Sequence, residues 1–139
     1  MEKLLTFIRE KDLFARHCGI ELVSAEPGRA VARLRVADEH RNGLGMAHGG
    51  AIFALADLAF AAAANSRDAV AVGVNASISF FKAAPGGTLE AVAAENADPR
   101  RIGGYTVEVR DEAGDLVALF QGLAYRKRDT PPFLSRSPE

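Results

Sequence analysis

The 139-residue sequence predicts an α+β domain: one curved antiparallel sheet of five or six strands wrapped around one long apolar helix. Three observations predict this fold class. The segment AIFALADLAFAAAA (51–64) has no glycine or proline and is apolar on nearly every face, which favours a core helix. Residues 19–36 have the pattern of a β-hairpin, and four further strand patterns follow the helix.

The elements before the helix are shorter. Apolar residues over 3–17 are spaced mostly by three or four, which is typical of one or two short amphipathic helical turns. The hairpin turns at Ala-Glu-Pro-Gly (25–28), and its second strand alternates between two faces over 30–36. A polar, glycine-rich loop, 37–50, leads into the helix.

The strand patterns after the helix are separated by turn residues. They are VAVGVNASISFFK (70–82), TLEAVAAENAD (88–98), IGGYTVEVRD (102–111) and DLVALFQGLAYRK (115–127). We therefore expect a single domain over 1–128. The proline-rich tail, 129–139, is expected to be mobile.

Composition excludes several classes of protein. The 17 basic and 18 acidic residues give a net charge of −1, so a nucleic-acid partner is not expected. The single cysteine, Cys18, cannot form an internal disulfide. The N-terminus is charged and Asp57 interrupts the most apolar run, so neither a signal peptide nor a membrane span is expected. The sequence predicts a cytoplasmic protein.

Four features coincide around the start of the apolar helix: Asn42, His48, the pair Gly49-Gly50, and Asp57. Free N–H groups at a helix N-terminus attract negative charge, and glycines let a carbonyl oxygen approach them. Such amides can form an oxyanion hole. A tight loop-to-helix turn explains the glycines equally well, and packing explains His48.

Asp57 follows Gly50 by seven residues, which places it on nearly the same helix face about 10 Å along the axis. The two can act on one carbon if they come from different subunits of a dimer with antiparallel helices. A carboxylate buried in this apolar run needs a partner or a function, and its pKa should be raised. A structural Asp at a dimer interface is the alternative. Exposed strand edges also favour a homodimer.

The sequence lacks the motifs expected for a metal site, a serine hydrolase or a Cys–His catalytic pair. His40, His48 and Asp57 match no tight metal-ligand spacing, so no metal is expected. There is no Gly-x-Ser-x-Gly elbow. His17 and Cys18 are adjacent, and adjacent residues on a helix point in different directions.

The segment from Asn42 to Asp57 resembles the PaaI-type hotdog-fold acyl-CoA thioesterases linked to phenylacetate degradation. The signature is Asn, a short spacer, His-Gly-Gly, and Asp in the helix. LADLAFAAAANS, SFFKAAPGG and VALFQG add to the resemblance, which covers roughly residues 13–127. It implies the helix-wrapped sheet, dimers that share active sites and often pair into tetramers, and an acyl-CoA substrate. No separate cofactor is implied, because coenzyme A is part of the substrate.

The resemblance also implies residue roles. Asp57 would be the general base or nucleophile, and Gly49, with Gly50, would polarise the thioester carbonyl from the partner subunit. Asn42 would position water or the thioester, and His48 would hold the loop. The acyl group implied is aromatic, such as phenylacetyl, or of medium length.

Substrate-binding residues are less defined. Related enzymes often carry a small polar residue on the strand after the helix, here Asn75 or Ser77. Coenzyme A phosphates need basic groups, and four lie in suitable strands or loops: Lys82, Arg100, Arg101 and Arg126. Among them Arg101 is preferred, because a glycine turn follows it.

Two other functions stay open. A hotdog hydratase or dehydratase needs a His and a carboxylate acting together, but the His-Phe-Pro loop of the fatty-acid dehydratases is absent. A non-catalytic acyl-CoA sensor usually carries a DNA-binding segment, and the stretch before Gly19 is too short for one.

Overall fold

The computed structural model describes residues 1–97 and 101–134. Within them three α-helices and one antiparallel sheet form in the predicted order. The helices are α1 (Glu2–Lys11), α2 (Leu13–Cys18) and α3 (Gly49–Ala64). The strands are β1 (Ile20–Glu26), β2 (Arg29–Arg35), β3 (Ala71–Phe80), β4 (Thr88–Glu95), β5 (Ile102–Arg110) and β6 (Leu116–Arg126). The predicted hairpin, core helix and four later strands are confirmed.

The sheet has the order β1-β2-β4-β5-β6-β3, so β1 and β3 are its edges. The apolar helix α3 lies against this sheet and contacts all six strands. The predicted alternation in β5 is confirmed, since Tyr105, Val107 and Val109 are all buried under the helix. The α+β hotdog architecture expected from the sequence is therefore the observed one.

One aromatic ring sets the distance between helix and sheet. Phe60 packs with its ring centroid 5.5 Å from both Tyr105 and Phe120. A Cβ atom at Gly122 would lie only 2.8 Å from the Phe60 ring, too close for any real side chain. Glycine at 122 therefore lets β6 approach α3 closely.

The two edge strands each contain a register shift. In β1 the shift occurs at Val23, where Arg9 of α1 donates hydrogen bonds to the Leu22 carbonyl at 3.0 and 2.9 Å and to that of Val23 at 3.3 Å. In β3 the shift occurs at Val74, whose side chain is 56% exposed. We refer to these as the β1 edge and the β3 edge.

Beyond β6 the chain returns to α1. Pro132–Leu134 forms a short 3-10 helix, and Phe133 packs against Phe7 with ring centroids 5.7 Å apart and ring planes tilted by 46°. Residues 135–139 of the predicted tail lie outside the described residues, so its mobility and the 1–128 boundary stay predictions. In the part of the chain that is described, no helix is both long and apolar enough to cross a membrane.

Candidate active site

The loop before α3 is built by the side chain of Asn42. Its Oδ1 accepts hydrogen bonds from the backbone N–H groups of Leu44 at 2.9 Å and Met46 at 3.2 Å. Its backbone N–H also donates to the Met46 carbonyl at 2.7 Å. Asn42 therefore fixes the loop through its backbone and its side-chain oxygen, and it lines a cavity in front of Gly49.

His40 anchors the same loop, a role that sequence reasoning missed. Its Nδ1 accepts from the Ala37 N–H at 2.9 Å, and its Nε2 donates to the Cys18 carbonyl at 2.6 Å. Its own carbonyl accepts from the His48 N–H at 2.6 Å. Both ring nitrogens are thus engaged with backbone, which ties the loop to the end of α2.

His48 is the N-cap of α3. Its Nδ1 accepts from the Gly50 N–H at 2.8 Å, so that amide is already used within the chain. The Gly49 N–H, in contrast, has no hydrogen-bond partner within residues 1–97 and 101–134. Of the two predicted amide donors, Gly50 is thus engaged within the chain, while Gly49 is left without an acceptor among the described residues, at the positive end of the helix dipole.

Gly49 faces a cavity of about 500 Å³ between the loop and the end of β3. Phe80 covers the glycine, and a Cβ atom at Gly49 would lie 3.2 Å from the Phe80 ring. Apolar side chains, among them Leu44, Ile52 and Phe81, line much of this cavity. The Gly49 N–H, which has no acceptor among the residues that the structure describes, therefore lies beside apolar space, and this arrangement suits the polarisation of a carbonyl oxygen.

Asp57 lies elsewhere on α3 and is not buried in the single chain, which corrects the expectation of a buried carboxylate. Gly50, Phe53 and Asp57 form an exposed stripe along the helix, and Phe53 is 37% exposed. The apolar residues around Asp57 suggested that it is buried. The expectation was wrong because apolar composition alone does not reveal which face of the helix packs on the protein's own sheet.

The electrostatics of Asp57 follow the predicted direction. Partial loss of hydration, and to a smaller extent the negative charge of Asp12, raise the pKa of the Asp57 carboxyl above its ordinary value. Asp12 was not singled out in the sequence. It is the N-cap of α2, where its Oδ1 accepts from the Ala15 N–H at 3.0 Å. An Asp just before a short apolar helical segment is the signal that would have found it.

Gly49 and Asp57 are separated by eight residues of one straight helix, about 12 Å along its axis. In a single chain they do not converge on one atom. A site that uses both groups would need them from two copies of the chain. We call the start of α3 with Gly49 the donor half, and the middle of α3 with Asp57 the carboxylate half, of the candidate site.

Asn75 and Ser77 lie on the sheet face that points away from α3. Their strand neighbours settle this, because Ala76 pairs with Gly122 on the face that meets Phe60. The two residues line a small cavity of about 210 Å³ with Gln121 and parts of β5. The structure does not bring them to the Gly49 cavity.

The predicted phosphate-binding residues are also dispersed. Lys82 lines the Gly49 cavity, but its Nζ contacts Asp111 at 2.6 Å and Asp115 at 2.7 Å. Hydrogen bonds to these two carboxylates raise the pKa of Lys82 and balance its charge.

Arg101 donates to the Arg126 carbonyl at 3.2 Å, and its guanidinium lies 5.9 Å from the Tyr125 ring centroid. Arg126 ends β6, beside Arg101 rather than near the Gly49 cavity. Arg100 lies outside the described residues.

Comparison with known proteins agrees with this geometry. Residues 44–118 match the family model described as Thioesterase superfamily. The chain is 36% identical over 118 residues to the acyl-coenzyme A thioesterase PaaI of Escherichia coli, covering 84% of each. It superposes on the E. coli PaaI structure with a TM-score of 0.86 at 34% identity, over 93% of this chain and 96% of that one.

Two further structures are similar. The phenylacetic acid degradation protein PaaI of Thermus thermophilus, solved as a mutant, has a TM-score of 0.79 at 40% identity, over 84% of this chain and all of that one. The smu.793 protein of Streptococcus mutans, solved with acetyl CoA, has a TM-score of 0.76 at 27% identity, over 81% and 91%. The chain belongs to the thioesterase superfamily, in its hotdog fold and close to PaaI.

Proposed function

We propose that the protein is an acyl-CoA thioesterase whose active site joins the donor half of one subunit to the carboxylate half of another. The observation that carries the proposal is the Gly49 N–H, which has no acceptor in the described part of the chain. It lies at a helix N-terminus, beside apolar space and on the same helix as Asp57. In a two-fold dimer with antiparallel α3 helices, Gly49 of each subunit can approach Asp57 of the other. Two equivalent sites result.

The chemistry follows from these two groups. Asp57 takes a proton from water, which adds to the thioester carbonyl carbon, or its carboxylate attacks that carbon directly. The Gly49 N–H stabilises the negative charge that develops on the carbonyl oxygen. In the first route the C–S bond then breaks and the proton held by Asp57 passes to the sulfur, so that coenzyme A leaves as its thiol and the free acid remains. In the second route the C–S bond breaks to give an Asp57–acyl anhydride and the coenzyme A thiolate. Water then hydrolyses the anhydride, which releases the free acid, restores the Asp57 carboxylate and supplies the proton to the thiolate.

Dimerisation is supported by the β3 edge. Within the described residues β3 pairs only with β6, so its other edge has no strand partner, and the strand carries exposed apolar side chains, including Val74 and Phe80. Such an edge favours pairing with a second copy. A tetramer of two dimers is the further assembly we propose, supported by exposed Ile102, Leu123 and Tyr125 on the outer sheet face.

The similarity to PaaI supports coenzyme A thioesters of aromatic acids, such as phenylacetyl-CoA, as the first substrates to test. Free-thiol release should be measured from a panel of aryl- and fatty acyl-CoA thioesters, with the unchanged protein and Asp57→Asn. We expect turnover to fall at least about a hundredfold in Asp57→Asn, because the variant has neither a base nor a nucleophile.

The pH profile adds a second readout. Because the pKa of Asp57 is raised, the active carboxylate is lost on acidification at a higher pH than for an ordinary Asp. Activity should therefore rise with pH through mildly acidic values and then level off. Binding of acyl-CoA without turnover in either protein would contradict the proposal and indicate a sensing function.

A further inference from the structure

His40 is a buried histidine that has no role in the mechanism above. Its side chain is only 7% exposed, although it lies in the polar loop between β2 and α3. A buried imidazole is tolerated when its ring nitrogens have hydrogen-bond partners, and is costly when they do not. Both nitrogens of His40 have backbone partners, so the ring is held in one orientation.

The two partners of the ring belong to different parts of the chain. Nδ1 faces the Ala37 N–H at 2.9 Å and therefore accepts, while Nε2 faces the Cys18 carbonyl at 2.6 Å and therefore donates. Ala37 is a local partner, three residues away. Cys18 is the last residue of α2, and carbonyl groups at a helix end need partners from outside the helix. The ring thus ties the loop to α2.

The backbone of His40 holds His48 in place. Its carbonyl accepts from the His48 N–H at 2.6 Å, while the His48 carbonyl accepts from the N–H groups of Ala51 at 2.9 Å and Ile52 at 3.1 Å. These bonds fix both sides of His48 in an extended conformation, with φ −62° and ψ 138°, that suits an N-cap. The Gly49 N–H shares one planar peptide unit with the His48 carbonyl, so His48 sets its direction.

We propose that His40 is a positioning residue of the active site, which orients the Gly49 N–H through His48 by tying the loop to α2. The proposal rests on the thioesterase function proposed above, in which this N–H stabilises the oxyanion. The bond from Nε2 to the Cys18 carbonyl is the decisive one, because it reaches an element 22 residues away. A donor displaced by about 1 Å can lose about a hundredfold in rate.

Other side chains of the loop do not replace this bond. The Asn42 oxygen accepts from N–H groups at most four residues away, within the loop itself. The Arg41 guanidinium donates to the Pro85 carbonyl at 2.9 Å, on the side of the loop away from α2. Neither contact involves His48, whose N–H is held by the His40 carbonyl.

Two variants separate the roles of the two ring nitrogens. His40→Gln places an amide N–H near the position of Nε2, so it keeps the bond to Cys18 and loses the bond to Ala37. His40→Asn places an oxygen near the position of Nδ1, so it keeps the bond to Ala37 and loses the bond to Cys18. Because each variant loses one hydrogen bond to the backbone, the two should unfold at similar denaturant concentrations.

Steady-state kinetics with phenylacetyl-CoA give the main readout. We expect His40→Asn to lower kcat at least about tenfold and to leave KM within about twofold, because an oxyanion donor acts mainly in the transition state. His40→Gln should keep kcat within about threefold, because it retains the tie that orients the donor. A role in stability alone would affect the two variants alike.

The matched control is His17→Asn. His17 lies on α2 one residue before Cys18, it is exposed, and its ring makes no hydrogen bond within residues 1–97 and 101–134. This variant should leave kcat and KM unchanged. Equal losses of kcat in the two His40 variants, or full activity in His40→Asn, would overturn the proposal.

A spectrum of the free protein distinguishes failure of this proposal from failure of the thioesterase function. If no thioester is turned over, the catalytic proposal fails, but the Gly49 amide can still be observed by NMR in protein labelled with ¹⁵N-glycine. The Phe80 ring covers Gly49, so its ring current makes this resonance sensitive to small displacements. His40→Asn should shift the resonance more than His40→Gln does. Equal shifts in the two variants, or no shift in His40→Asn, contradict the positioning role.

Discussion

The two edge strands of the sheet share one irregularity, a register shift, but they differ in what covers it. Each edge strand shifts register at a valine, Val23 in β1 and Val74 in β3. At the β1 edge the protein's own α1 covers the shift, and Arg9 binds the carbonyls that it exposes. At the β3 edge Val74 stays 56% exposed, and Phe80 and Phe81 beside it are also exposed.

This difference indicates separate roles for the two edges, one in folding and one in the proposed shared site. The covered edge completes the fold, since α1 and the β1 bulge hold each other in place. The open edge lies beside the Gly49 cavity, because Phe80 and Phe81 belong to both. The β3 edge, which this chain leaves exposed, is therefore the surface at which we propose that two chains form the shared site.

The largest effect should come from placing a charge on the open edge. In a two-fold pair of β3 strands, Val74→Lys brings like charges close together and should convert the dimer to a monomer. Activity should fall about a hundredfold, as for loss of an oxyanion donor, because each carboxylate half loses its Gly49 N–H. Light scattering gives the molar mass and thiol release gives the activity.

The matched control is Val23→Lys at the covered edge. It adds the same charge at the equivalent register shift, and it should leave the molar mass unchanged. If the unchanged protein is already a monomer at micromolar concentration, or if Val74→Lys stays a fully active dimer, the shared-site arrangement is wrong.

A smaller effect is expected from opening the covered edge. Arg9→Ala removes charge-assisted hydrogen bonds to the Leu22 and Val23 carbonyls, which should lower the free energy of unfolding by about 1–3 kcal/mol. Denaturant titration measures the change. Arg29→Ala, which loses only an exposed ion pair with Glu26, should change it by less than about 0.5 kcal/mol. Equal effects from both variants would mean that Arg9 does not secure the edge.

The smallest effect concerns the charge next to Asp57. Asp12→Asn removes a negative charge that raises the pKa of Asp57, so the acid limb of the pH–rate profile should move to lower pH. Activity at alkaline pH should not change, because Asp57 is ionised in both proteins. Asn keeps the N-cap of α2, so thermal stability should be retained. An acid limb that stays in place would show that Asp12 does not influence the carboxylate.

Periodicity was sufficient to predict most of the fold. The core helix, the hairpin and the strand over 102–111 could be located because their apolar residues repeat with the period of one element. The face of α3 that the sheet leaves exposed could not be predicted. The helix is apolar on nearly every face, so its sequence does not show that Phe53 and Asp57 lie on the face that the sheet does not cover.

The sequence can indicate the contacts of a candidate site residue only where those contacts are local. The roles of His48 as N-cap and Asn42 as loop residue depend on neighbours within four residues. His40 depends on a carbonyl 22 residues away, and Lys82 on carboxylates 29 and 33 residues away. Such partners become apparent only when the sheet is assembled.

The contact between Phe60 and Gly122 has a consequence for how this protein can diversify. Any larger residue at 122 would push α3 and its carboxylate away from the sheet, so strand positions under the helix offer little freedom for new specificities. The loop before α3 and the exposed stripe of the helix are different, because within the described residues no strand of the same chain covers them. Evolution or engineering can therefore change the proposed site through these two segments while the contact between Phe60 and Gly122 stays as it is.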